Sequence, residues 1–466
     1  MSERTVLTPA HTIPAAPEPV VPADPQQRLL RAALYGGCAL TVVAAVLLTV
    51  RLLPAGSRSG RWVYPYVGTF SGWHLWPAAA ALLAVVGLLL VSRRLRPGVA
   101  VGGWLVAAVP LQLLLRTYDE VSLSVLVASD RANSFHTPSL TYSAHDFISR
   151  YMEIVSDLPP HARTNMPGKT LLYHLLGAVT TDPGAQGVLV VAVSSLTALL
   201  VYAVAREVFD DHRTALYALI LTLLMPGRLW FLPILNTVSP VPILLALWLH
   251  LRFLRGRQWP WAVAVGLTVY LTFLFEPLPL VLGLAFIGTA ALALHRRTCD
   301  WYDMLRLVSV TLAAFAAAYL GMRALFGYDL FVNLDYVLAD ANDFNVRAAR
   351  PYGVWVWRNL WDLALCAGLA VTVLVGATAY DGFRRGLARP AAVLTVCGLA
   401  VLAFLDLVGV NRGETIRLWI FLGVFFQLSA AWLCARSPRQ WPFTALVAAT
   451  LLQGTLGMAL IAFVRP

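Results

Sequence analysis

The chain of 466 residues is 59% hydrophobic and 13% charged, and its mean hydropathy is +0.70. One soluble core of this length cannot hide so much apolar surface, whereas a lipid bilayer solvates it. The net charge of +11 comes from arginine, since Lys169 is the only lysine, and no basic domain is large enough to hold a nucleic-acid duplex. Composition therefore excludes a soluble globular enzyme and a nucleic-acid partner, and it predicts a polytopic membrane protein.

Residues 1–27 are rich in proline and poor in large apolar side chains. This composition predicts a disordered cytoplasmic tail. The apolar run that follows is too long for a signal peptide and lacks a small-residue cleavage site, so we expect the first helix to remain as an anchor. Residues 28–466 are predicted to form a single transmembrane domain.

Apolar runs of spanning length predict an all-α bundle of about 13 transmembrane helices. They lie at 29–53, 73–92, 99–115, 184–205, 213–226, 239–254, 260–275, 278–295, 304–326, 355–377, 390–408, 416–434 and 441–463. Compact arginine clusters occur in every second connection, at 93–96, 206–213, 252–257, 296–297, 384–389 and 436–439. With the N-terminus inside, all of these clusters fall on the cytoplasmic side, as the positive-inside rule requires.

The same parity places five other segments outside: 54–72, 116–183, 226–238, 327–354 and 409–415. Loops 116–183 and 327–354 are long, and apolar periodicity in the first predicts short helices on the membrane surface. The outer segments are not depleted of arginine. Arginines on that side indicate an anionic ligand such as a phosphate. They are Arg163, Arg228, Arg323, Arg347, Arg350, Arg412 and Arg417.

Two adjacent carboxylates, Asp119 and Glu120, lie where the third span leaves the bilayer. Carboxylates in this position are costly unless they are solvated, paired or used. Partial burial would make either of them a useful general base toward a hydroxyl. A solvated helix end is the equally good alternative.

A second candidate is the segment from His161 to Lys169, which precedes an apolar stretch. Pro167 and Gly168 predict a tight turn that presents backbone amides and a helix start to the outside. Together with Arg163, these groups fit an anion such as a phosphate leaving group. An ordinary turn from loop to helix with incidental charges is the alternative.

A third candidate is the short connection from Asn411 to Trp419. Glu414 and Arg417 are spaced i, i+3 and would share a helix face, so a structural salt bridge is one interpretation. Arg417 also lies at the start of a span, where an unpaired charge is expensive and functional roles are common. Binding of substrate is therefore the other interpretation.

Weaker candidates are scattered over the outer segments. Asn236 flanks an outer turn, and Glu276 lies between two helix ends that contain proline. His136, His145 and Asp146 have spacing that could hold a metal, but they form no fixed ligand motif. A divalent metal is therefore left open, and no soluble cofactor is expected because nucleotide-binding and dinucleotide-binding motifs are missing.

Four segments together resemble the GT-C membrane glycosyltransferases, in particular the protein O-mannosyltransferase and lipid A aminoarabinose transferase group. Tyr118-Asp119-Glu120 followed by residues 132–138 resembles the first outer loop of that family, and residues 161–177 are similar to its His-x-x-x-His-Pro-Pro-Gly-x-x-Leu segment. Residues 226–236 resemble the later Pro…Pro…Asp segment. Residues 411–419 resemble an Arg-Gly-Glu-x-x-Arg-x-Trp motif of bacterial members.

The resemblance implies a GT-C-like bundle and transfer of a sugar from a polyprenyl-phosphate donor to an acceptor hydroxyl, with inversion, on the outer face. Asp119 would deprotonate the acceptor and Glu120 would orient it. The donor phosphate would be held by His161, Arg163, Lys169, Arg412 and Arg417. Other contacts to the substrates are expected from His136, Asp146, Asn165, Asn236 and Glu414.

The resemblance also implies the partners: membrane lipid, the lipid-linked sugar, and a glycan, lipid or protein acceptor. Arginine use with almost no lysine and abundant alanine indicates a GC-rich bacterial genome, and hence a bacterial plasma membrane location. Two other functions stay open. One is a transporter or flippase of a lipid-linked envelope precursor, and the other is a lipid-binding relative or scaffold without catalytic activity.

Overall fold

A computed structural model of the protein describes residues 25–55, 64–276, 280–409 and 411–466. The predicted disordered tail falls outside them up to residue 24, and the first helix begins at Pro25. Within the described ranges the chain is helical and contains no β-strand; the one β-bridge joins Tyr66 to Ile461. The predicted all-α fold class is confirmed.

Helices form wherever the apolar runs predict them, and many begin with proline in the first turn, where its missing N–H costs nothing. The first group is α1 (Pro25–Thr49), a 3₁₀ turn (Gly72–Leu75), α2 (Trp76–Ser92) and α3 (Pro97–Leu115). The outer segment that follows contains α4 (Leu123–Ala128), α5 (His136–Thr141), α6 (Ala144–Ser149), α7 (Tyr151–Ile154), a 3₁₀ turn (Val155–Asp157), α8 (Pro160–Arg163) and α9 (Gly168–Gly177). This confirms the short helices predicted there.

The remaining chain alternates long helices with short connections. Its middle part is α10 (Pro183–Phe209), α11 (His212–Leu224), α12 (Pro226–Phe231), a 3₁₀ turn (Leu235–Thr237), α13 (Pro240–Gly256), α14 (Trp259–Phe275), α15 (Leu280–His295) and α16 (Trp301–Phe326). The last part is α17 (Leu330–Arg347), α18 (Tyr352–Ala367), α19 (Leu369–Arg385), α20 (Pro390–Val408), α21 (Thr415–Leu418), α22 (Ile420–Ala435) and α23 (Trp441–Leu460).

Among the described residues, nine helices are long and apolar enough to cross a membrane, and α18 with α19 forms a tenth, bent candidate. Three shorter apolar helices are Trp259–Phe275, Gly283–His295 and Ile420–Ala435. The predicted count of about 13 spans is reached only if these three cross as well. The protein is thus a multi-pass membrane protein with at least nine candidate spans in the part that the structure describes.

Five of the six arginine clusters lie together at one end of the described bundle. Contacts between their connections demonstrate this, because groups at opposite ends could not touch. The contacts are Arg213 with the Arg439 carbonyl, Arg436 with Asp211, Arg252 with Glu207, Arg257 with the Thr298 carbonyl, and Arg296 with the Ala388 carbonyl.

The predicted span 355–377 is broken. α18 and α19 meet at an angle of 106° at Gly368, whose φ of +102° suits glycine. The side chain of Gln453 accepts a hydrogen bond from the Leu369 N–H and donates one to the Leu365 carbonyl, while Gln427 donates to the Ala367 carbonyl. These amides supply the partners that backbone groups lose at the break.

Residues 327–354, predicted as a long outer loop rich in Asp and Asn, contain the 18-residue helix α17. Asp329 caps its first turn by accepting hydrogen bonds from the N–H groups of Phe331 and Val332. Asn333 is buried and donates to the Tyr328 hydroxyl. One face of α17 thus packs on the outer end of the bundle, beside α8 and residues 411–418.

Candidate active site

A solvent-open cavity of about 1200 Å³ lies at the end of the bundle that carries the outer segments. Its walls come from residues 160–165 around α8, from Glu276 after α14, from one face of α17, and from residues 411–418. Six of the predicted site residues line it: His161, Arg163, Asn165, Arg412, Glu414 and Arg417. The structure thus brings the second and third sequence candidates into one site, the large cavity.

Cations outnumber carboxylates on the walls of the large cavity. The cations are Arg163, Arg347, Arg350, Arg412 and Arg417, and the carboxylates are Glu276, Asp340 and Glu414. Each of these carboxylates already forms an ion pair, so the arginines in excess of the carboxylates are available to a ligand. This electrostatic character suits a phosphate group.

Arg163 and Arg412 are the cations without a carboxylate partner. Arg163 is half-buried, and its side chain has no hydrogen bond or ion pair within the described part of the chain. Arg412 donates to the carbonyls of Gly409 (3.0 Å) and Arg350 (3.4 Å), and its guanidinium lies over the Tyr352 ring. Both guanidiniums therefore keep donors for a ligand in the large cavity.

Glu414 forms ion pairs with two other arginines of the large cavity. Its Oε1 accepts from Arg350 Nη2 at 3.0 Å and its Oε2 from Arg417 Nη2 at 2.5 Å, so the predicted Glu414–Arg417 pair is present. Burial alone would raise the pKa of Glu414, but Arg417 and Arg350 lower it to about 2. With one hydrogen bond on each oxygen, Glu414 orients the two arginines, and its predicted contact to the substrate stays a prediction.

Lys169 lies behind the wall of the large cavity. Its Nζ is 2.6 Å from Glu276 Oε2 and 2.7 Å from Asn165 Oδ1, and its side chain is only 2% exposed. Gly168 permits this approach, because a Cβ there would lie 2.5 Å from the Leu274 carbonyl oxygen. The Pro-Gly turn therefore serves close packing of α9 on the end of α14, and Lys169 reaches the cavity only through Glu276 and Asn165.

His161 is the only histidine that lines the large cavity. Burial, and then the charges of Arg417 and Lys169, lower its pKa to about 4. The imidazole is therefore neutral at physiological pH. A neutral imidazole still donates a hydrogen bond to a phosphate, but it adds no positive charge to the cavity.

Asp119 and Glu120 line a second, smaller cavity of about 520 Å³. Its other walls come from Val67, Val121, Trp230 and residues 458–465. The Asp119 carboxylate forms an ion pair with Arg116, and its Oδ1 accepts from the Val121 N–H at 3.2 Å. Glu120 is exposed and has no partner among the described residues.

The carboxylates and the arginines thus occupy two cavities that share no lining residue. Tyr64 packs beside the small cavity. Its ring is 5.2 Å from that of Phe463, which lines this cavity. Burial and then the charge of Glu414 raise the pKa of Tyr64 above its usual range.

Three predicted substrate contacts line neither cavity. His136 is buried against the Tyr173 ring, and burial lowers its pKa. Asp146 is in the first turn of α6 and accepts a hydrogen bond from the Ser143 hydroxyl. Asn236 is buried in the turn that precedes α13. Within the described residues no group of three His, Cys, Asp or Glu side chains is arranged as a metal site.

The helix α17 was not predicted from the sequence, although Arg347 was named as an outer arginine; α17 lines the large cavity with Asp340, Phe344 and Arg347. These residues recur at i, i+4 and i+7, so helical periodicity would have revealed one shared face. The sequence analysis also missed the pairing of Arg116 with Asp119, although the i, i+3 spacing was visible.

Residues 167–320 match the model of the family described as dolichyl-phosphate-mannose-protein mannosyltransferase. The predicted resemblance to the GT-C membrane glycosyltransferases is confirmed. The GT-C-like segment runs from the start of α9 into α16, so it contains both Lys169 and Glu276. The cavity residues of α8, α17 and 411–418 lie outside it.

Among solved structures, the chain is similar to ArnT from Cupriavidus metallidurans in the apo state. The identity is 16% and the TM-score is 0.45, with 73% of this chain and 62% of that chain covered. The chain therefore spans less than two thirds of the length of that protein. None of the curated proteins compared with this chain matches it.

Proposed function

We propose that this protein is an integral membrane glycosyltransferase that moves a sugar from a polyprenyl-phosphate donor to an acceptor hydroxyl on the extracytoplasmic face. The transfer inverts the configuration at C1. The observation that carries the proposal is the large cavity, in which arginines exceed carboxylates and Arg163 has no partner among the described residues. The match of residues 167–320 to a mannosyltransferase family supports the reaction class.

In this proposal the donor phosphate lies in the large cavity. Cleavage of the bond between C1 and the phosphate oxygen leaves the bonding electrons on the phosphate, whose negative charge rises. Arg163 and Arg412 carry unused donors, and Glu414 holds Arg350 and Arg417 in fixed positions. Preorganised cations of this kind stabilise charge that develops in the transition state without further reorganisation.

Asp119 receives the acceptor proton as the acceptor oxygen bonds to C1, and exposed Glu120 contacts the acceptor. Inversion requires the attacking oxygen and the leaving phosphate on opposite faces of the sugar. Base and phosphate therefore belong in separate subsites. The two separate cavities suit this division, with Asp119 in one and the arginines in the other.

The proposal includes an orientation in a bacterial plasma membrane. The arginine-rich connections would face the cytoplasm, and both cavities would open on the other side. The donor's isoprenoid chain would lie among helices and lipid, where its apolar surface stays out of water. The acceptor would be a glycan, lipid or protein.

The test uses the full chain in lipid nanodiscs with a panel of polyprenyl-phosphate sugars. We expect release of polyprenyl phosphate from at least one donor, and a loss of about 100-fold or more in Asp119→Asn because the general base is missing. Asp146→Asn is the matched control, since Asp146 lines neither cavity. If no donor is consumed, or if Asp119→Asn retains full activity, the proposed function or its base is wrong.

A transporter of a lipid-linked precursor is the second candidate. Broken helices are typical of transporters. The α18–α19 pair is bent at Gly368, and the short interruption between α11 and α12 lies beside it, where Gly227 approaches Cys366. The buried Arg228 beside this contact has only neutral partners, among them Ser194 at 3.0 Å. Movement of a labelled lipid-linked sugar across vesicles, without cleavage of the sugar, would favour this function.

A further inference from the structure

Arg116 connects the Asp119 carboxylate to another part of the bundle. It follows the last residue of α3 and is 7% exposed. Its Nη2 pairs with Asp119, while its Nη1 donates to the Leu232 carbonyl and, at 3.3 Å, to the Leu229 carbonyl. The rigid fork of a guanidinium permits this set of bonds, and a lysine ammonium has no equivalent geometry.

The two carbonyls belong to a wall of the small cavity. Leu229 lies in α12, and Leu232 follows it; between them, Trp230 lines the same cavity as Asp119. Trp230 is itself fixed, because its Nε1 donates to the Gly454 carbonyl at 2.9 Å and its ring stacks on Phe463. Arg116 therefore sets the distance between the carboxylate and a rigid wall.

We propose that Arg116 is a positioning residue for Asp119: it holds the carboxylate ionised and at a fixed place against α12. This inference rests on the proposed function, in which Asp119 accepts the proton. Other charged groups at the small cavity are Glu120 and Arg465. On the side of α2, the His74 ring contacts Tyr118 rather than Asp119. Arg116 is the only cation paired with Asp119 among the described residues.

The test compares two variants in nanodiscs. Arg116→Met removes the charge and all three bonds. Arg116→Lys keeps the charge but loses the fork, and it carries the test if Arg116→Met does not fold. Arg51→Met is the matched control, because Arg51 lies just past the end of α1 and donates to the Gly68 carbonyl without an ion pair.

In Arg116→Met we expect kcat to fall by about 100-fold with an unchanged KM for the donor, because a displaced base costs about this much. The acid limb of the pH–rate profile should move to higher pH, because the ion pair that favours the ionised Asp119 carboxylate is lost. In Arg116→Lys we expect a fall of about 10-fold with the acid limb unchanged. A purely structural role for Arg116 would lower activity equally at every pH.

Carbodiimide labelling separates failure of this inference from failure of the proposed function. The reagent modifies protonated carboxyl groups, and the modified peptide is identified by mass spectrometry, so no sugar transfer is needed. We expect faster labelling of Asp119 in Arg116→Met than in the wild type and in Arg51→Met. Equal labelling overturns the inference. Faster labelling in a protein that consumes no donor leaves the positioning intact and rejects the proposed function.

Discussion

At the scale of single residues, the large cavity is organised by charge. Glu414 has φ +59°, a backbone conformation that is uncommon outside glycine and asparagine, and it accepts from both Arg350 and Arg417. Strained residues of this kind persist where surrounding contacts over-determine them, often at functional sites. The consequence is that two guanidiniums are held toward the cavity before any ligand arrives.

His161, also a single residue, should make the stability of the folded protein depend on pH. Its folded pKa of about 4 lies below its ordinary value, so the unfolded chain binds more protons than the folded one between about pH 4 and about pH 6.5. Stability should therefore fall as pH drops through that window. We expect the melting temperature at about pH 5 to lie below that at about pH 7, with a smaller difference in His161→Gln.

The control for this prediction is His145→Gln, which removes an exposed histidine of the same outer segment. It should leave the pH-dependence of melting as in the wild type. If the melting temperature of His161→Gln depends on pH as strongly as that of the wild type, groups other than His161 cause the dependence.

At the scale of helices, the break between α18 and α19 depends on two glutamines. The Gln453 side chain accepts a hydrogen bond from the Leu369 N–H and donates one to the Leu365 carbonyl inside the bundle. We expect Gln453→Leu to destabilise the protein by about 2–5 kcal/mol, because each buried backbone group left without a partner costs about 1–3 kcal/mol. Thermal melting in detergent measures this.

An exposed glutamine provides the comparison. Gln258, before α14, makes no buried hydrogen bond, so Gln258→Leu should melt close to the wild type. If Gln453→Leu and Gln258→Leu have the same melting temperature, the Gln453 amide does not stabilise the break between α18 and α19.

The hydropathy pattern could not reveal that break. Residues 363–377 are apolar on both sides of the break, and the bend arises from the positive φ of Gly368 and from distant glutamines on α22 and α23. α17 was not predicted for a different reason: its Asp and Asn residues are typical of loops, although Asp329 caps the helix, Asp340 pairs with Arg347 and Asn333 is buried against Tyr328. Local composition predicts helices well only where lipid selects for apolar residues.

At the scale of the whole molecule, the arginine distribution predicted that its clusters share one end, and contacts among five of the six clusters agree. The distribution could do so because charge and alternation along the chain decide which connections share an end. The side of the membrane that this end faces stays a prediction. The division of the predicted site into two cavities was beyond the sequence, because distances between outer segments depend on how the helices pack. Asp119 is close in the chain to neither Arg163 nor Arg412, and no spacing rule relates them.

The proposed function depends most on binding of a lipid phosphate in the large cavity. The direct measurement is the affinity of polyprenyl phosphate for the nanodisc-embedded protein, by native mass spectrometry, in the wild type, Arg163→Ala, Arg412→Ala and Arg150→Ala. Arg150 is an exposed arginine of the same outer segment, paired with Glu153 outside both cavities. We expect the first two variants to bind about 10-fold more weakly or worse, since each loses charge-assisted hydrogen bonds, and Arg150→Ala to bind like the wild type. Equal affinity in all four proteins would contradict the account.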